Sequence, residues 1–350
     1  MKKITSTLFL AALALCMTAC KDDETEKPNN DGTSTSAYVL CEGSWGENNA
    51  SMALVDLSNG KATTDWFASK NGRGLGDVAQ DLVAYGSKLY ATVTFSNSLE
   101  VINPKTGEST RIDMGNRNPR YIAADGGKLY VSCYEPHCVV RIDTASLQIE
   151  ATCQLGDFNP EGVAVAGGKL YVASSFISDA SYNYSYDNKV YVIDLASFAN
   201  PTPIEVGYNP QKVKALADGR VVVNYWGDYN ENFAGSAIIN GTSVSLTGQE
   251  LTDFDVYGNA IYGYATTYDA DWNASVGFVK VENGLVSTIL ENATMSSSPY
   301  GIAINPSNGD IFVCTDGNYI ADGDVYCFAQ NGSLRWNVEV GMLPKRVVVR

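Results

Sequence analysis

The chain contains 350 residues, and its 39 acidic side chains outnumber the 24 basic ones, which gives a formal net charge of −15. Because nucleic-acid binding requires clusters of Lys and Arg that neutralise phosphates, this composition argues against a nucleic acid as a partner. The chain has 32 Gly, 21 Tyr and one His, only 18% of its residues are charged, and helical periodicity is nearly absent, so it is expected to be all-β.

The first 19 residues have the pattern of a secretory signal peptide. Two lysines precede an apolar run from Leu8 to Leu15, which is too short to span a membrane. The small residues Thr18 and Ala19 then lead to Cys20, and this sequence resembles a bacterial lipobox. We therefore predict that residues 1–19 are removed and that Cys20 carries lipid; the alternative is an ordinary signal peptide with a chance cysteine.

Residues 20–35 follow as a polar segment with an acidic run at 21–26. Its Asn, Asp, Thr, Ser and Pro residues supply too little apolar surface to form a core. We predict a flexible tether that holds the folded part at the outer face of the outer membrane. The acidic run resembles the surface-export signal of Bacteroidota lipoproteins, and its simpler interpretation is a solvated spacer.

From residue 36 onward a strand-like phrase recurs. It reads Gly-Lys-Leu-Tyr-Val at 127–131 and again at 168–172, and looser copies stand elsewhere. The aromatic or equivalent apolar position of each copy falls at Tyr38, Tyr90, Tyr130, Tyr171, Val222, Tyr262 and Phe312. The successive spacings run from 40 to 52 residues. A repeat of this length that is built from short strands predicts a β-propeller.

Each repeat contains signals for four strands, here called A to D from the ring axis outward. A Pro-led segment predicts strand A, the recurring phrase predicts strand B, and two further runs predict strands C and D. Residues 36–350 therefore form one domain, a seven-bladed propeller with four-stranded blades. The chain starts with a B strand and ends with an A strand at 344–350, so the C-terminal strand should close the first blade and leave no open sheet edge.

The loops that join strands B and C should lie on the same face as the loops that lead into strand A. Every B–C loop carries an aromatic residue, although Gly, Asn and Asp alone are sufficient for a turn. Exposed aromatic rings provide contact area at low entropic cost, so this ring of loops favours a binding surface over loops that fold inward and pack on one another. The candidate ligand-binding residues in these loops are Trp45, Asn49, Phe95, Asn97, Tyr134, His137, Phe176, Tyr184, Tyr186, Tyr225, Trp226, Tyr229, Asn230, Tyr268, Trp272 and Tyr319. Three further candidates come from the starts of A strands: Arg120, Glu161 and Gln211.

Cysteine spacing gives two candidate disulfides. Cys133 and Cys138 bracket a short hairpin loop, and Cys314 and Cys327 bracket a longer one. Adjacent antiparallel strands bring such pairs within bridging distance in an exported protein. The pairing of Cys41 and Cys153 stays open. No Cys-x-x-Cys sequence occurs, so metal binding by the cysteines is not expected.

Signals for catalysis are weak. A Ser-His-Asp arrangement would have to use His137, and no Gly-x-Ser-x-Gly sequence precedes a helix. His137 is more simply a solvated or hydrogen-bonded side chain, with axial ligation of a bound macrocyclic metal as the alternative. The Asp pairs 269/271 and 322/324 are typical of turns, and alternatively of calcium ligands or a glycosidase pair. We expect no enzyme activity and leave metal binding open.

The lipobox, the acidic leader, the Gly-Lys-Leu-Tyr-Val phrases and the Asn-Pro steps into strand A together resemble YncE/YVTN-type propellers over residues 36–350. More narrowly, the chain is similar to surface-layer-like lipoproteins of gut Bacteroides, whose characterised members are the vitamin B12-capturing BtuG-type proteins. This resemblance implies a cell-surface ring that captures cobalamin and delivers it to a TonB-dependent outer-membrane transporter. It implies no catalytic residues and no cofactor besides the bound ligand.

The leading hypothesis is therefore a corrinoid-capture lipoprotein with a lipid anchor as its only membrane attachment. Aromatic rings would cover the corrin, Arg120 and Glu161 would pair with its amide side chains, and Arg73 and Arg117 would meet its phosphate. A glycan-binding or scaffold subunit of a polysaccharide-uptake system is the alternative, because the same rings stack on sugars. A third hypothesis is a hydrolase or lactonase with a calcium- or carboxylate-lined mouth.

Overall fold

The computed structural model describes residues 35–178, 184–269, 271, 274–291 and 293–350. They form seven four-stranded antiparallel sheets arranged as the blades of a ring, as the sequence predicts. Blade 1 consists of β28 (Pro344–Val349), β1 (Ser36–Cys41), β2 (Ser51–Asp56) and β3 (Ala62–Thr63). Blade 2 consists of β4 (Ala79–Tyr85), β5 (Lys88–Val93), β6 (Ser98–Ile102) and β7 (Ser109–Asp113). Blade 3 consists of β8 (Pro119–Asp125), β9 (Lys128–Cys133), β10 (Cys138–Asp143) and β11 (Ile149–Gln154).

The remaining blades follow the same order from the axis outward. Blade 4 consists of β12 (Phe158–Ala166), β13 (Lys169–Ser178), β14 (Tyr184–Asp194) and β15 (Thr202–Glu205). Blade 5 consists of β16 (Pro210–Ala215), β17 (Val221–Tyr225), β18 (Gly235–Asn240) and β19 (Ser243–Leu246). Blade 6 consists of β20 (Asp253–Tyr257), β21 (Ala260–Tyr268), β22 (Ala274–Glu282) and β23 (Leu285–Ile289). Blade 7 consists of β24 (Pro299–Ile304), β25 (Ile311–Thr315), β26 (Asp322–Phe328) and β27 (Leu334–Met342).

The recurring phrase begins in a tight turn between strands A and B. Gly126 and Gly127 connect β8 to β9 with φ of 55° and 74°, and Gly167 and Gly168 connect β12 to β13 in the same way. A two-residue hairpin whose central residues both have positive φ matches the twist of the flanking strands, and glycine adopts it without a Cβ clash. The glycine in the phrase is therefore the second residue of the turn.

The hydrophobic core lies between neighbouring blades. The B strand sits inside each sheet and is covered on both faces, so its residues are almost all buried, as in Leu129–Cys133 of β9. One apolar cluster joins Tyr262 and Phe278 of blade 6 to Ile302 and Phe328 of blade 7. Each fully buried large apolar side chain contributes about 1.5–3 kcal/mol of transfer free energy. This blade-to-blade contact holds the ring together.

Polar bonds also link successive A strands near the axis. Asp81 of β4 accepts the backbone N–H of Ile122 in blade 3. Asp253 and Asp255 of β20 accept the backbone N–H groups of Ile302 and Ile304 in blade 7. A carboxylate that accepts a backbone N–H in the interior is satisfied without water, so these side chains can be buried.

The C-terminal strand completes blade 1. β28 pairs antiparallel with β1, and Ala37 stands opposite Val349. Ser36 and Arg350 exchange two backbone hydrogen bonds of 3.2 and 3.0 Å at the end of the pairing. β1 runs from Ser36 at one end of the ring to Cys41, where the first B–C loop begins.

Blade 1 also contains a helix that periodicity did not reveal. The six-residue α1 (Trp66–Asn71) follows the two-residue β3 and buries Trp66 and Phe67 against the cluster between blades 1 and 2. A single 3₁₀ turn over Gly317–Tyr319 lies between β25 and β26. Among the described residues, no helix is both long enough and apolar enough to cross a membrane.

Candidate functional site

Two adjoining cavities open on the face of the ring that carries the B–C loops. The larger measures about 550 Å³ and is lined by blades 5, 6 and 7 together with the A strands. The smaller measures about 320 Å³ and lies toward blades 2, 3 and 4. Their shared wall consists of Tyr121, Gln211, Trp226, Tyr229 and Lys345. We refer to the two cavities together as the mouth, and its size is typical of small-molecule sites.

An aromatic wall borders the mouth on the side of blades 5 to 7. Its members in the B–C loops are Trp226, Tyr229, Tyr268 and Tyr319. Trp226 is 39% exposed, and its indole N–H donates to the carbonyl of Thr252 at 3.1 Å. This bond fixes the ring orientation while one face remains open to the cavity. The wall thus offers preformed stacking surface.

The other side of the mouth is polar and internally paired. Arg120 of β8 donates to Gln80 at 2.7 Å and to Glu161 at 2.8 Å, and its guanidinium stands 4.3 Å from the ring centre of Tyr134. The Tyr134 hydroxyl donates to Glu161 at 2.5 Å. Burial raises the pKa of Tyr134, and the charge of Glu161 raises it further. The hydroxyl therefore stays protonated and keeps donating.

A second ion pair lies within blade 1, and a tyrosine of blade 7 donates to it. Glu42 accepts from Lys345 at 2.8 Å and from the hydroxyl of Tyr300 at 2.7 Å. Burial alone would raise the pKa of Glu42, but the Lys345 ammonium and the two hydrogen bonds outweigh it and hold the pKa below its usual value. Burial and the charge of Glu42 raise the pKa of Tyr300. Burial lowers the pKa of the Lys345 ammonium, and the charge of Glu42 opposes that shift.

A deeper layer of ion pairs crosses the axis. Arg346 donates to Asp81 of blade 2 at 2.9 Å and lies 3.8 Å from Asp253 of blade 6. Lys212 of blade 5 donates to Asp253 at 2.8 Å. Burial lowers the pKa of Lys212 to about 8 despite the opposing effect of Asp253. This layer separates the mouth from a third cavity of about 230 Å³ further along the axis.

The structure brings the majority of the predicted contact residues together. The predicted residues that line the mouth are Arg120, Tyr134, Glu161, Phe176, Tyr186, Gln211, Trp226, Tyr229, Tyr268 and Tyr319. B–C loops and A-strand starts share one face, as expected; for example, the Tyr134 and Glu135 N–H groups donate to carbonyls of the loop before Pro119. Trp272 lies outside the described residues, as do Cys20 and the predicted signal peptide and tether up to residue 34.

Other predicted residues lie away from the cavity linings. Trp45 is 76% exposed on the rim and meets Phe95 edge-on at 6.2 Å. Tyr184 also sits on the rim, 6.2 Å from Tyr186. Tyr225 packs in the apolar cluster between blades 4 and 5. His137 is half-buried outside both linings.

The three remaining predicted asparagines shape their loops. The side chain of Asn49 accepts the backbone N–H of Ser44 at 2.7 Å. Asn97 accepts the N–H of Asn118 at 2.8 Å, which links a B–C loop to the next A-strand start. The backbone N–H of Asn230 donates to Asp228.

Two arginines that were expected to meet a ligand phosphate have protein partners instead. Arg73 forms a fork with Glu100 at 2.9 and 2.8 Å, far out in blade 2. Arg117 donates to the carbonyl of Met114 at 2.8 Å. Neither lines the mouth.

The described cysteines are buried free thiols. Cys133 and Cys138 stand directly opposite each other in β9 and β10, which suits the first predicted disulfide. Cys314 and Cys327 are offset, because Cys327 stands opposite Phe312 and Cys314 opposite Val325. Cys41 lies in the same core cluster as this second pair. Both disulfides stay predictions.

Sequence reasoning missed many of the polar residues that line the mouth. Together with Arg120, Glu161 and Gln211, the missed residues form what we call its floor. The missed lining residues include Glu42, Gln80, Tyr121, Lys212, Asp253, Tyr300, Lys345 and Arg346. Several stand one or two positions after the Pro that begins an A strand, the position from which Arg120, Glu161 and Gln211 were selected. Extending that selection to every blade would have found Tyr300 and Lys345. Within the described residues, no group of three or more His, Cys, Asp or Glu side chains is placed to hold a metal ion.

No protein-family model and no curated protein matches this chain. Solved structures do match. A quinoprotein alcohol dehydrogenase-like protein from Bacteroides thetaiotaomicron aligns with a TM-score of 0.63 at 16% identity, over 90% of this chain and 78% of that one. A protein described as a 6-phosphogluconolactonase, from Bacteroides uniformis, gives a TM-score of 0.60 at 13% identity, over 91% of this chain and 100% of that one. The periplasmic gluconolactonase PpgL from Pseudomonas aeruginosa gives 0.58 at 14% identity, over 90% and 99%.

What these proteins share with this chain is the propeller fold. At such low identity the likeness carries no information on ligand or reaction, and the functions named for the matching structures differ from one another. The function of this chain must therefore be argued from its own mouth.

Proposed function

We propose that this protein captures a corrinoid in the mouth without transforming it. The observation that carries the proposal is the combination of a preformed aromatic wall with a polar floor in cavities of about 550 and 320 Å³. A corrinoid is a broad ring system whose edges bear amides. Rings such as Trp226 and Tyr268 would cover its apolar faces, while the floor would meet the amides.

The charges of the floor favour a neutral, amide-rich ligand over a strongly charged one. Glu42 is paired with Lys345, Glu161 with Arg120, and Asp253 with Lys212. Because each of these three carboxylates has a cation, the three pairs offer hydrogen-bonding groups with little net charge. Gln211, which lines both cavities, would add an amide partner.

The proposed setting is the outer face of the outer membrane. It rests on the lipobox at Cys20 and the acidic segment that follows. In that setting the protein would be held by lipid alone and would deliver its ligand to a TonB-dependent transporter. Metabolic labelling with a fatty-acid analogue tests the anchor: wild type should incorporate label and Cys20→Ser should not.

Isothermal titration with cyanocobalamin tests the ligand. Wild type should give binding heat at micromolar protein, and Trp226→Ala should bind at least tenfold more weakly, since a central ring of this kind carries a large share of binding energy. Phe233→Ala is the matched control, because Phe233 belongs to the same loop and is 86% exposed but lies outside the linings. Absence of heat with wild type would remove the corrinoid proposal.

One observation favours a glycan as the second candidate. Ring contacts continue from Phe176 to Tyr184, Tyr186 and Tyr229 at centroid spacings of 5.8, 6.2 and 5.7 Å. A track of rings that leaves the cavity suits an extended chain of sugars better than a compact ligand. A glycan array with reproducible hits, together with a silent cyanocobalamin titration, would select this function.

The non-enzymatic part of the proposal also rests on the paired carboxylates. A hydrolytic mouth needs a carboxylate free to act as a base or to hold a cation, and Glu42, Glu161 and Asp253 are each engaged by a cation and a further hydrogen bond. Two of the matching structures are described as lactonases, and this gives the reaction to test. Turnover of gluconolactone above the uncatalysed rate would contradict this part of the proposal.

A further inference from the structure

Two tyrosines of the aromatic wall have backbone conformations that their side chains disfavour. Tyr229 has φ of 58° and Tyr319 has φ of 62°. For a residue with a bulky side chain this left-handed region is an outlier, and it persists only where the surrounding structure enforces it. Both residues are in B–C loops, one in blade 5 and one in blade 7.

In blade 7 the unusual conformation extends over a whole turn. Gly317, Asn318 and Tyr319 are consecutive residues with φ of 55°, 56° and 62°. L-residues normally enter this region singly, so three in a row form a left-handed turn that local sequence preference does not explain. The Asp316 side chain accepts the Asn318 N–H at 2.9 Å, and the Gly317 N–H donates to Ser297 at 2.9 Å. These bonds hold the turn.

In blade 5 a different set of bonds has the same effect. The carboxylate of Asp228 accepts the backbone N–H groups of Asn230 and Asn232 at 3.0 and 2.8 Å. The N–H of Gly227, itself at φ of 76°, donates to the carbonyl of Tyr208 at 2.9 Å. Tyr229 is thereby enclosed in a loop that is fixed on both sides of it.

The free energy of this strain is not offset by burial of either ring. Tyr229 remains 72% exposed and Tyr319 remains 60% exposed. Both nevertheless line the 550 Å³ cavity, Tyr229 from blade 5 and Tyr319 from blade 7. Tyr319 is oriented by an edge contact with Tyr300 at 5.8 Å, and Tyr229 by one with Tyr186 at 5.7 Å. The strained backbone places each ring at the cavity, so contact between the ring and a bound ligand would offset the free energy of the strain.

We propose that Tyr229 and Tyr319 are the specificity-determining pair of the mouth, which grips the flat faces of a broad ring-shaped ligand from two sides. The inference rests on the proposed capture function and adds which residues hold the ligand and at what cost to folding. It makes an unusual demand on mutants: removal of either ring should weaken binding and leave the free protein more stable, because glycine adopts the left-handed region without a Cβ clash.

The test uses the full folded chain and four variants. Tyr229→Gly and Tyr319→Gly remove the ring and the strain. The matched controls Phe233→Gly and Ile320→Gly remove more exposed neighbours, 86% and 85% exposed, in the same two loops; Ile320 has an ordinary φ of −129°. Without ligand, calorimetry should place the thermal midpoint of the tyrosine variants about 1 °C above wild type, and of the controls below it. Titration with cyanocobalamin should show at least tenfold weaker binding for the tyrosine variants and no more than a twofold change for the controls.

Each outcome decides a separate point. Tyrosine variants that melt as low as the controls, or that bind cyanocobalamin like wild type, overturn the inference. A wild type that gives no cyanocobalamin heat overturns the proposed corrinoid function instead. The same variants are therefore also applied to the glycan array, where equal binding by wild type and both tyrosine variants would overturn the gripping role for sugars as well.

Discussion

At the scale of single residues, the mouth is held in shape by charges that satisfy one another. Arg120 illustrates this, because its two forked donors reach Gln80 and Glu161 while its plane stacks on Tyr134. A lysine in this place would supply neither the fork nor the stacking plane. The arginine thus positions the candidate contact residues Glu161 and Tyr134, and both terminal nitrogens of its guanidinium already donate to protein groups.

The first prediction concerns this arginine. Arg120→Ala should lower the free energy of unfolding by about 3–5 kcal/mol, since it leaves Glu161 buried without a cation. The surface pair of Arg141 and Glu150 provides the comparison, and Arg141→Ala should cost less than about 1 kcal/mol. Urea denaturation measures both. Similar losses for the two variants would show that the Arg120 network adds nothing beyond a surface contact.

The second prediction concerns acid stability. The pKa of Glu42 is held below its usual value, so its ionised form stabilises the fold fully above the unfolded pKa of about 4.3, and this contribution is lost as pH falls below that value. Glu42→Gln should therefore reduce the pH dependence of stability below about pH 4.3. Urea denaturation at several acidic pH values measures it.

Glu47, an exposed residue of the same loop, supplies the control for that experiment. Glu47→Gln should follow the wild-type pH dependence. If Glu42→Gln also followed it, the pair with Lys345 would have no measurable share in acid stability.

At the scale of elements, the strands follow from the sequence and the exceptions have physical reasons. The Gly-Gly turns, the Pro at the start of β8 and β16, and the buried B strands are all local signals, so the blades could be predicted. Helix α1 was not predicted, because six residues are too few to show a helical period in the sequence. The floor of the mouth could not be predicted from the sequence, because Glu42 and Lys345 are 303 positions apart and meet only when the ring closes.

The third prediction tests whether α1 acts as part of the core. Trp66→Ala should lower the free energy of unfolding by about 3–5 kcal/mol, because the indole is buried and meets Tyr38 edge-on at 5.1 Å. Trp45→Ala removes an equally large but exposed ring and should change stability by less than about 0.5 kcal/mol. Chemical denaturation followed by circular dichroism compares them, and a small effect of Trp66→Ala would make α1 a mere surface cover.

At the scale of the whole molecule, closure of blade 1 is the feature on which the ring depends. β28 is the innermost strand of that blade, and it also carries Lys345 and Arg346 into the floor and the axial ion pairs. One seven-residue segment therefore serves both the circular arrangement of the blades and the chemistry of the mouth.

The fourth prediction follows from this double role. Deletion of residues 344–350 should abolish cooperative thermal unfolding, because β1 loses its partner and Glu42, Asp81 and Asp253 lose cations at once. Differential scanning calorimetry gives the answer. A polar extension added after Arg350 is the control and should leave the transition in place; a truncated chain with a sharp wild-type transition would contradict the closure argument.

The direction of β1 has a consequence for posture at a membrane. Because this strand runs from Ser36 toward the first B–C loop, Ser36 lies on the face of the ring opposite the mouth. If Cys20 carries lipid as proposed, the mouth of the anchored protein would face the medium before a ligand binds. The 14 residues between Cys20 and Thr35 can span at most about 50 Å. Transfer of the ligand to a transporter in the same membrane would then require the whole propeller to rotate on this short tether.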